Sequence, residues 1–261
     1  MTARAMWKAE LAIGKTTIPV KLYAAVADQK VHFRLLDEQS KAPVKQQMFD
    51  AASDEPIPEG SAQKGIQLDE GRFVIVTPED LAALEPEESR AITIERFVPP
   101  SAIDEAWYER PYWLGPDGDE GAYFALVAAL AQEDRIGIVH WAMRKHRYHG
   151  ALRVSGQHLL LVRLRTAEQV LPATKLAAPE GRVADAKELA LAEQLVAALE
   201  GPFDPSELEG TYDERVRELV EAKAKGKIVK LKKGRAHKAT ADTGLAAALK
   251  ASLKKVGRHA A

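Results

Sequence analysis

RIGIVHWAMRKHRYHGALRVSGQHLLLVRLR, residues 135–165, runs for thirty-one positions without an aspartate or glutamate, in a chain of 261 residues that holds 38 of them. It carries Arg135, Arg144, Lys145, Arg147, Arg153, Arg163 and Arg165, and four of the seven histidines, His140, His146, His149 and His158. Residues 136–143, 148–154 and 159–164 have the apolar, β-branched and alternating character of strands. The first two are joined by RKHR, residues 144–147, read as a turn with three positive charges and a histidine. In the third strand, period-two alternation places Arg163 and Arg165 on one face and Leu160, Val162 and Leu164 on the other. The expectation is a sheet with a cationic surface built from Arg144, Lys145, Arg147, Arg153, Arg163 and Arg165.

Working outward, residues 121–134, GAYFALVAALAQED, have apolar residues at helical spacing, which predicts a buried helix with Phe124, Val127 and Leu130 on one side. Near the N-terminus, MWKAELAI and TTIPVKLYA flank Gly14 and Lys15, and Ile18, Val20 and Leu22 alternate with Pro19, Lys21 and Tyr23, which predicts strand, turn, strand. Residues 40–71 hold prolines and glycines with little periodicity and read mostly as loop, with a short strand at 44–49. RFVIVT is a strand, and PEDLAALE a short helix with Pro78 in its first turn and Thr77 as cap. AITIERFV alternates again until Pro99 and Pro100 end it. Beyond residue 171 the chain turns helical. Residues 186–199 are strong helix formers, GPFDP breaks them, and SELEGTYDERVRELVEAKAKG offers capping boxes at Ser206 with Glu209 and Thr211 with Glu214. Tyr212, Val216, Leu219 and Val220 form that helix's apolar stripe, free either to pack on the body or to meet a partner.

The net charge of -1 conceals a segregation. Residues 222–261 carry twelve Lys or Arg, among them Lys230, Lys232 and Lys233, against the single acid Asp242. An acidic body with a basic, low-complexity tail calls for an anionic partner, most often nucleic acid. No run approaches the roughly 20 apolar residues of a membrane span and the first residues lack a signal-peptide core, so a cytoplasmic protein is expected. The chain has no cysteine, which excludes disulfides and thiolate metal sites.

The sequence shows no GxGxxG, GxxxxGK[ST], GxSxG or HExxH motif. The four histidines of the basic window fall on different strand faces and a turn, with no carboxylate beside them in sequence, so neither a metal site nor any other cofactor is expected. A Mg2+-dependent nuclease would need carboxylates beside its basic groove. These features point to a binder rather than an enzyme. The absence of asparagine and the placing of cations on strands and a tail suit phosphates better than base edges, with affinity that falls as salt rises.

Several blocks, in order, resemble bacterial Ku, the DNA-end-binding proteins of non-homologous end joining: RAMWKAELAIGKTTIPVKLYAA, ERFVP, RPYWLGPDG, AYFALVAALAQEDRIGIVHWAMRKHRYHGALRV and LALAEQLVAALEGPFDPSELEGTYDERVRELVEAKAKGK. The resemblance implies a mixed α+β, β-dominated fold: a Ku-type β-barrel core with a bridging arch over residues 1–183, a helical C-terminal segment over 184–228 for dimer support, and a lysine-rich extension over 229–261. It implies a ring-shaped homodimer threaded by double-stranded DNA ends, repair by end joining at the nucleoid, and a DNA-lined bore to which the six cations of the window are assigned by charge and strand phase. It further implies that TYDERVRELVEAKAKGK, with Tyr212, Val216, Leu219 and Val220, recruits a D-type ATP-dependent DNA ligase, and that Lys230, Lys232 and Lys233 add nonspecific DNA affinity. Many relatives carry a cysteine pair in the region matching VKQQMFDAASDEPIPEG. It is missing here, so no zinc is expected.

Overall fold

The computed structural model describes residues 4–27, 30–69, 71–87, 89–176, 184–208, 211–226, 249–250 and 252–253. The basic window forms three consecutive antiparallel strands, β7 (Ile136–Met143), β8 (His146–Ser155) and β9 (His158–Leu164). They belong to a closed barrel with β1 (Trp7–Ile13), β2 (Thr16–Ala24), β5 (Ala91–Val98) and β6 (Tyr108–Pro116), in the order β1-β2-β6-β9-β8-β7-β5. All its pairings are antiparallel except the seam, where β1 runs parallel to β5 through Glu10↔Ala91, Leu11↔Ile92 and Ala12↔Thr93. β3 (Lys64–Asp69) and β4 (Arg72–Val76) form a separate two-stranded ribbon.

Alternation decides which side chains fill the barrel. Leu11, Val20, Leu22, Ile92, Leu114, Val139, Leu152, Leu159 and Leu161 are fully buried in one core, together with Trp141 at 1% exposure. Each such aliphatic side chain gains roughly 1.5–3 kcal/mol on leaving water. The hairpin β1-β2 turns at Gly14 (φ +59°) and β8-β9 at Gly156 (φ +59°), where a positive φ at the first turn position favours glycine. The β7-β8 turn differs. Arg144 (φ +52°) and Lys145 (φ +69°) both occupy the left-handed region, as a two-residue type I′ turn requires, although Asn-Gly is the usual pair there. RKHR is therefore half turn and half strand, with His146 and Arg147 already in β8.

One end of the barrel is closed by α2 (Glu120–Gln132), capped by Asp119, whose carboxylate accepts from the Ala122 amide at 2.9 Å. Its buried face is Tyr123, Val127 and Leu130; Phe124 is half exposed, contrary to the face expected from spacing. The reason is the Tyr123 hydroxyl, which donates to Leu114 O at 2.6 Å and accepts from Leu159 N at 2.9 Å, anchoring the helix to the last rung of the β6-β9 ladder. α1 (Pro78–Ala83) is held by a capping box between Thr77 and Asp80, as its sequence foretells.

Three segments depart from the sequence reading. Residues 44–49 form no strand, only an isolated bridge at Phe49, while Lys64–Asp69, read as loop, pairs with β4. β6 (Tyr108–Pro116), a segment to which the sequence reading assigned no element, is a strand with Pro111 inside it and Pro116 at its end.

The chain divides into two units, Met1–Asp28 with Arg34–Lys175, and Gln29–Phe33 with Leu176–Ala261. The second holds α3 (Ala186–Ala198), begun by a capping box between Asp185 and Glu188, and α4 (Thr211–Ala224). Within that unit the Val31 amide donates to Asp213 Oδ1 at 3.3 Å.

Candidate nucleic-acid interface

The cations of the acid-free window do not share one surface. Arg147 and Arg153 lie on the outward phase of β8, exposed, opposite in phase to the buried Leu152. The guanidinium of Arg153 sits 6.0 Å from the centre of the Tyr108 ring, and Arg153 makes no ion pair among the described residues. Arg144 and Lys145 form the tight turn between β7 and β8. There Lys145 Nζ lies 2.9 Å from Glu85, and Arg144 borders a cleft of about 530 Å³ with Trp7 and Arg90.

Arg163 continues the phase of Leu159 and Leu161, so its face is the inward face of the barrel at the open end. Its Nε donates to Glu109 Oε2 at 2.7 Å, a second guanidinium nitrogen donates to Glu109 Oε1, and the charge lies 5.3 Å from the Tyr148 ring centre. Arg165, just beyond the strand, donates to Ala106 O at 2.8 Å and to Tyr108 O. The alternation read from the sequence holds. Its consequence differs, because the arginine phase is the interior and both arginines brace the chain around residues 106–109.

The window lacks carboxylates in sequence but not in space. Glu109 answers Arg163, Glu95 Oε1 lies 2.8 Å from His140 Nδ1, and Glu85 answers Lys145. Glu95 and Glu109 both sit at irregularities of register, between Ile94 and Arg96 in β5 and between Tyr108 and Arg110 in β6. A bulge inserts a residue that breaks the alternation and redirects a side chain. The hydrogen bond from Arg163 holds the Glu109 carboxyl below its ordinary value of 4.5, and the same pairing raises Arg163. A carboxylate depressed in the folded state stabilises it above the unfolded value, and that contribution is lost as pH falls through the folded value. Barrel stability in the wild type is therefore expected to decline below about pH 4.5, and Glu109→Gln to flatten that decline; melting temperature against pH checks it, and superimposable profiles would refute the pairing.

The other assigned residues lie elsewhere. Tyr212 and Val220 on α4 are 70% and 55% exposed, and Val216 and Leu219 half buried. Lys230, Lys232 and Lys233 fall outside the described residues. Among the described residues no group of three or more His, Asp or Glu is placed to hold a metal ion, and no helix is long and apolar enough to cross a membrane.

An outward row went unnoticed in the sequence. Tyr23 of β2 faces Trp113 of β6, Trp113 faces Leu160 of β9, and Leu160 faces Arg153 of β8. The signal was available in RPYWLGP, where burial of Tyr112 and Leu114 turns Trp113 outward.

Residues 12–192 match the family model described as the Ku70/Ku80 β-barrel domain. The chain is 36% identical over 256 residues to non-homologous end joining protein Ku 2 of Geotalea uraniireducens, covering 98% of this chain and all of that one. It is 35% identical over 229 residues to non-homologous end joining protein Ku of Anaeromyxobacter sp. strain K (87% and 77% of the two chains), and 33% identical over 231 residues to that of Heliobacterium modesticaldum (88% and 84%). With a closed seven-stranded barrel and a family match across most of it, this chain belongs to the Ku family.

Proposed function

We propose that the protein binds double-stranded DNA ends without regard to sequence, as a ring-shaped homodimer, and recruits a D-type ATP-dependent DNA ligase for non-homologous end joining. The observation that carries this reading is the Ku β-barrel match over residues 12–192 together with relatives named for end joining along most of their lengths. The protein acts as a scaffold rather than a catalyst, in the cytoplasm at the nucleoid.

Physical features support the parts of this reading. Arg147 and Arg153 on the outer wall suit phosphates, and a closed hoop around the helix axis explains preference for termini without base recognition. The β3-β4 ribbon exposes Ile66, Leu68, Phe73 and Ile75, each more than half accessible, an apolar surface that calls for cover and fits a second copy of the chain. The exposed Tyr212 and Val220 of α4 offer a face for the ligase. The basic residues 230–261 add phosphate contacts.

Linear duplex and covalently closed circular DNA of the same sequence separate end binding from general affinity. Strong preference for the linear form is expected, and equal affinity overturns the proposal. Arg147→Glu with Arg153→Glu is expected to weaken binding to linear duplex by tenfold or more and to lower the slope of log affinity against log salt by about two contacts' worth. An unchanged slope places those two residues off the DNA.

A further inference from the structure

We propose that the outward face of β2, β6, β9 and β8 is a stacking platform for unpaired nucleobases, and so engages the single-stranded overhang of a broken duplex. This rests on the end-binding reading above and adds a second ligand state to it. Tyr23, Trp113, Leu160 and Arg153 are direct cross-strand partners in one row. Their outward phase follows from the burial of Leu22, Leu114, Leu161 and Leu152 beside them. In the next row Lys21 faces Gly115, and the His158 ring meets the edge of Trp113 with centroids 6.1 Å apart and planes at 69°.

The glycine makes the row concave. A Cβ at Gly115 would come within 3.3 Å of Tyr23 Cε2, and in its absence a cleft of about 510 Å³ opens, bordered by Tyr23, Trp113, Gly115, Pro116 and His158. No carboxylate borders it. Cations flank it along the sheet: Arg153 ends the row on β8, two strands from Trp113, and beside the cleft on β2 Lys21, with Lys8, shares Asp117 at 2.6 and 3.0 Å, leaving one net positive charge. An aromatic floor with cations on the same outward face matches the repeat of single-stranded nucleic acid, planar bases joined by anionic phosphates. Adjacent aromatics on an open sheet surface serve base stacking in the same way. Stacking accepts any base, which is what a protein meeting arbitrary overhangs requires.

The test uses the full-length dimer with a blunt duplex and with the same duplex extended by a short single strand carrying 2-aminopurine. The overhang is expected to bind roughly tenfold more tightly than the blunt end, with 2-aminopurine fluorescence quenched. Trp113→Ala is expected to abolish both the gain and the quench while blunt-end affinity stays unchanged, and Trp113→Phe to retain most of both. If Trp113→Ala does not fold, Gly115→Val, which fills the cleft, is read in its place with the same expectation. Equal affinity of the wild type for blunt and extended ends overturns this inference and leaves the end-binding reading standing, whereas loss of preference for linear over circular DNA overturns that reading itself. A change of dimer mass in Trp113→Ala or Gly115→Val assigns the cleft to a second copy of the chain and overturns the platform.

Discussion

Gly150→Ala is expected to destabilise the barrel by about 3 kcal/mol, one of the two largest single-residue effects anticipated. Gly150 lies on the inward phase of β8, paired with Val139 and Arg163. A Cβ there would sit 2.6 Å from Trp141 Cζ3, 3.0 Å from Cη2 and 2.9 Å from Val162 O. The carbonyl belongs to the neighbouring strand's backbone, and the indole, 1% exposed, is packed in the core against the Tyr148 ring at 5.5 Å. Neither can give way cheaply in an interior packed like an organic crystal. In a domain of this size the loss corresponds to a fall in melting temperature of roughly 6–12 °C. An unchanged melting temperature would mean that β8 can move away from Trp141 without cost, contrary to the ladder geometry.

Tyr123→Phe is expected to cost about 2–3 kcal/mol, although it removes one oxygen and leaves the ring. That oxygen serves Leu114 O and Leu159 N, two backbone groups, from a side chain that is fully buried in the core. A buried polar group deprived of its partner bears its full desolvation cost. Two readouts separate this from a loss of packing. Exchange of the Leu159 amide should accelerate selectively. Burial also raises the Tyr123 phenol above its ordinary 10.0. A raised folded-state value means stability is intact below the unfolded value and drains as pH rises through the folded one, so the wild type should lose stability in strong alkali and the variant should lose less. Identical alkaline profiles would refute the assignment.

The sequence declared the strands wherever alternation was uninterrupted. Residues 7–24, 72–76, 91–98 and 136–164 all fold as their periodicity demands. It concealed β6, because prolines within the run argue against a strand while the partner β9 supplies the ladder. It concealed β3, whose apolar residues are exposed and whose pairing with β4 carries no local signature. The cations were legible in composition, and the carboxylates that pair with some of them were not. Counting along the chain found no acid near the cations, yet two bulges in other strands deliver Glu95 and Glu109 to His140 and Arg163. A bulge is a one-residue offset set by two strands together, so it is invisible to a period of two read along either one. Tyr123 was hidden differently. Both it and Phe124 fit the helical spacing, and only the position of two unpaired backbone groups selects between them.

The parallel seam has a further consequence for what this architecture tolerates. β2 and β5 flank β1 on either side, so the chain leaves at Ala24 and returns at Ala91 roughly 20 Å away, given about 4.8 Å between strands and 3.3 Å per residue. A handful of extended residues could bridge that gap. Everything between is an insertion hung on a cylinder whose own bonding does not require it. Such an insertion is free to lengthen, shorten or change character in descent while the cylinder keeps its register, so lineages should diverge most there and least along the seam.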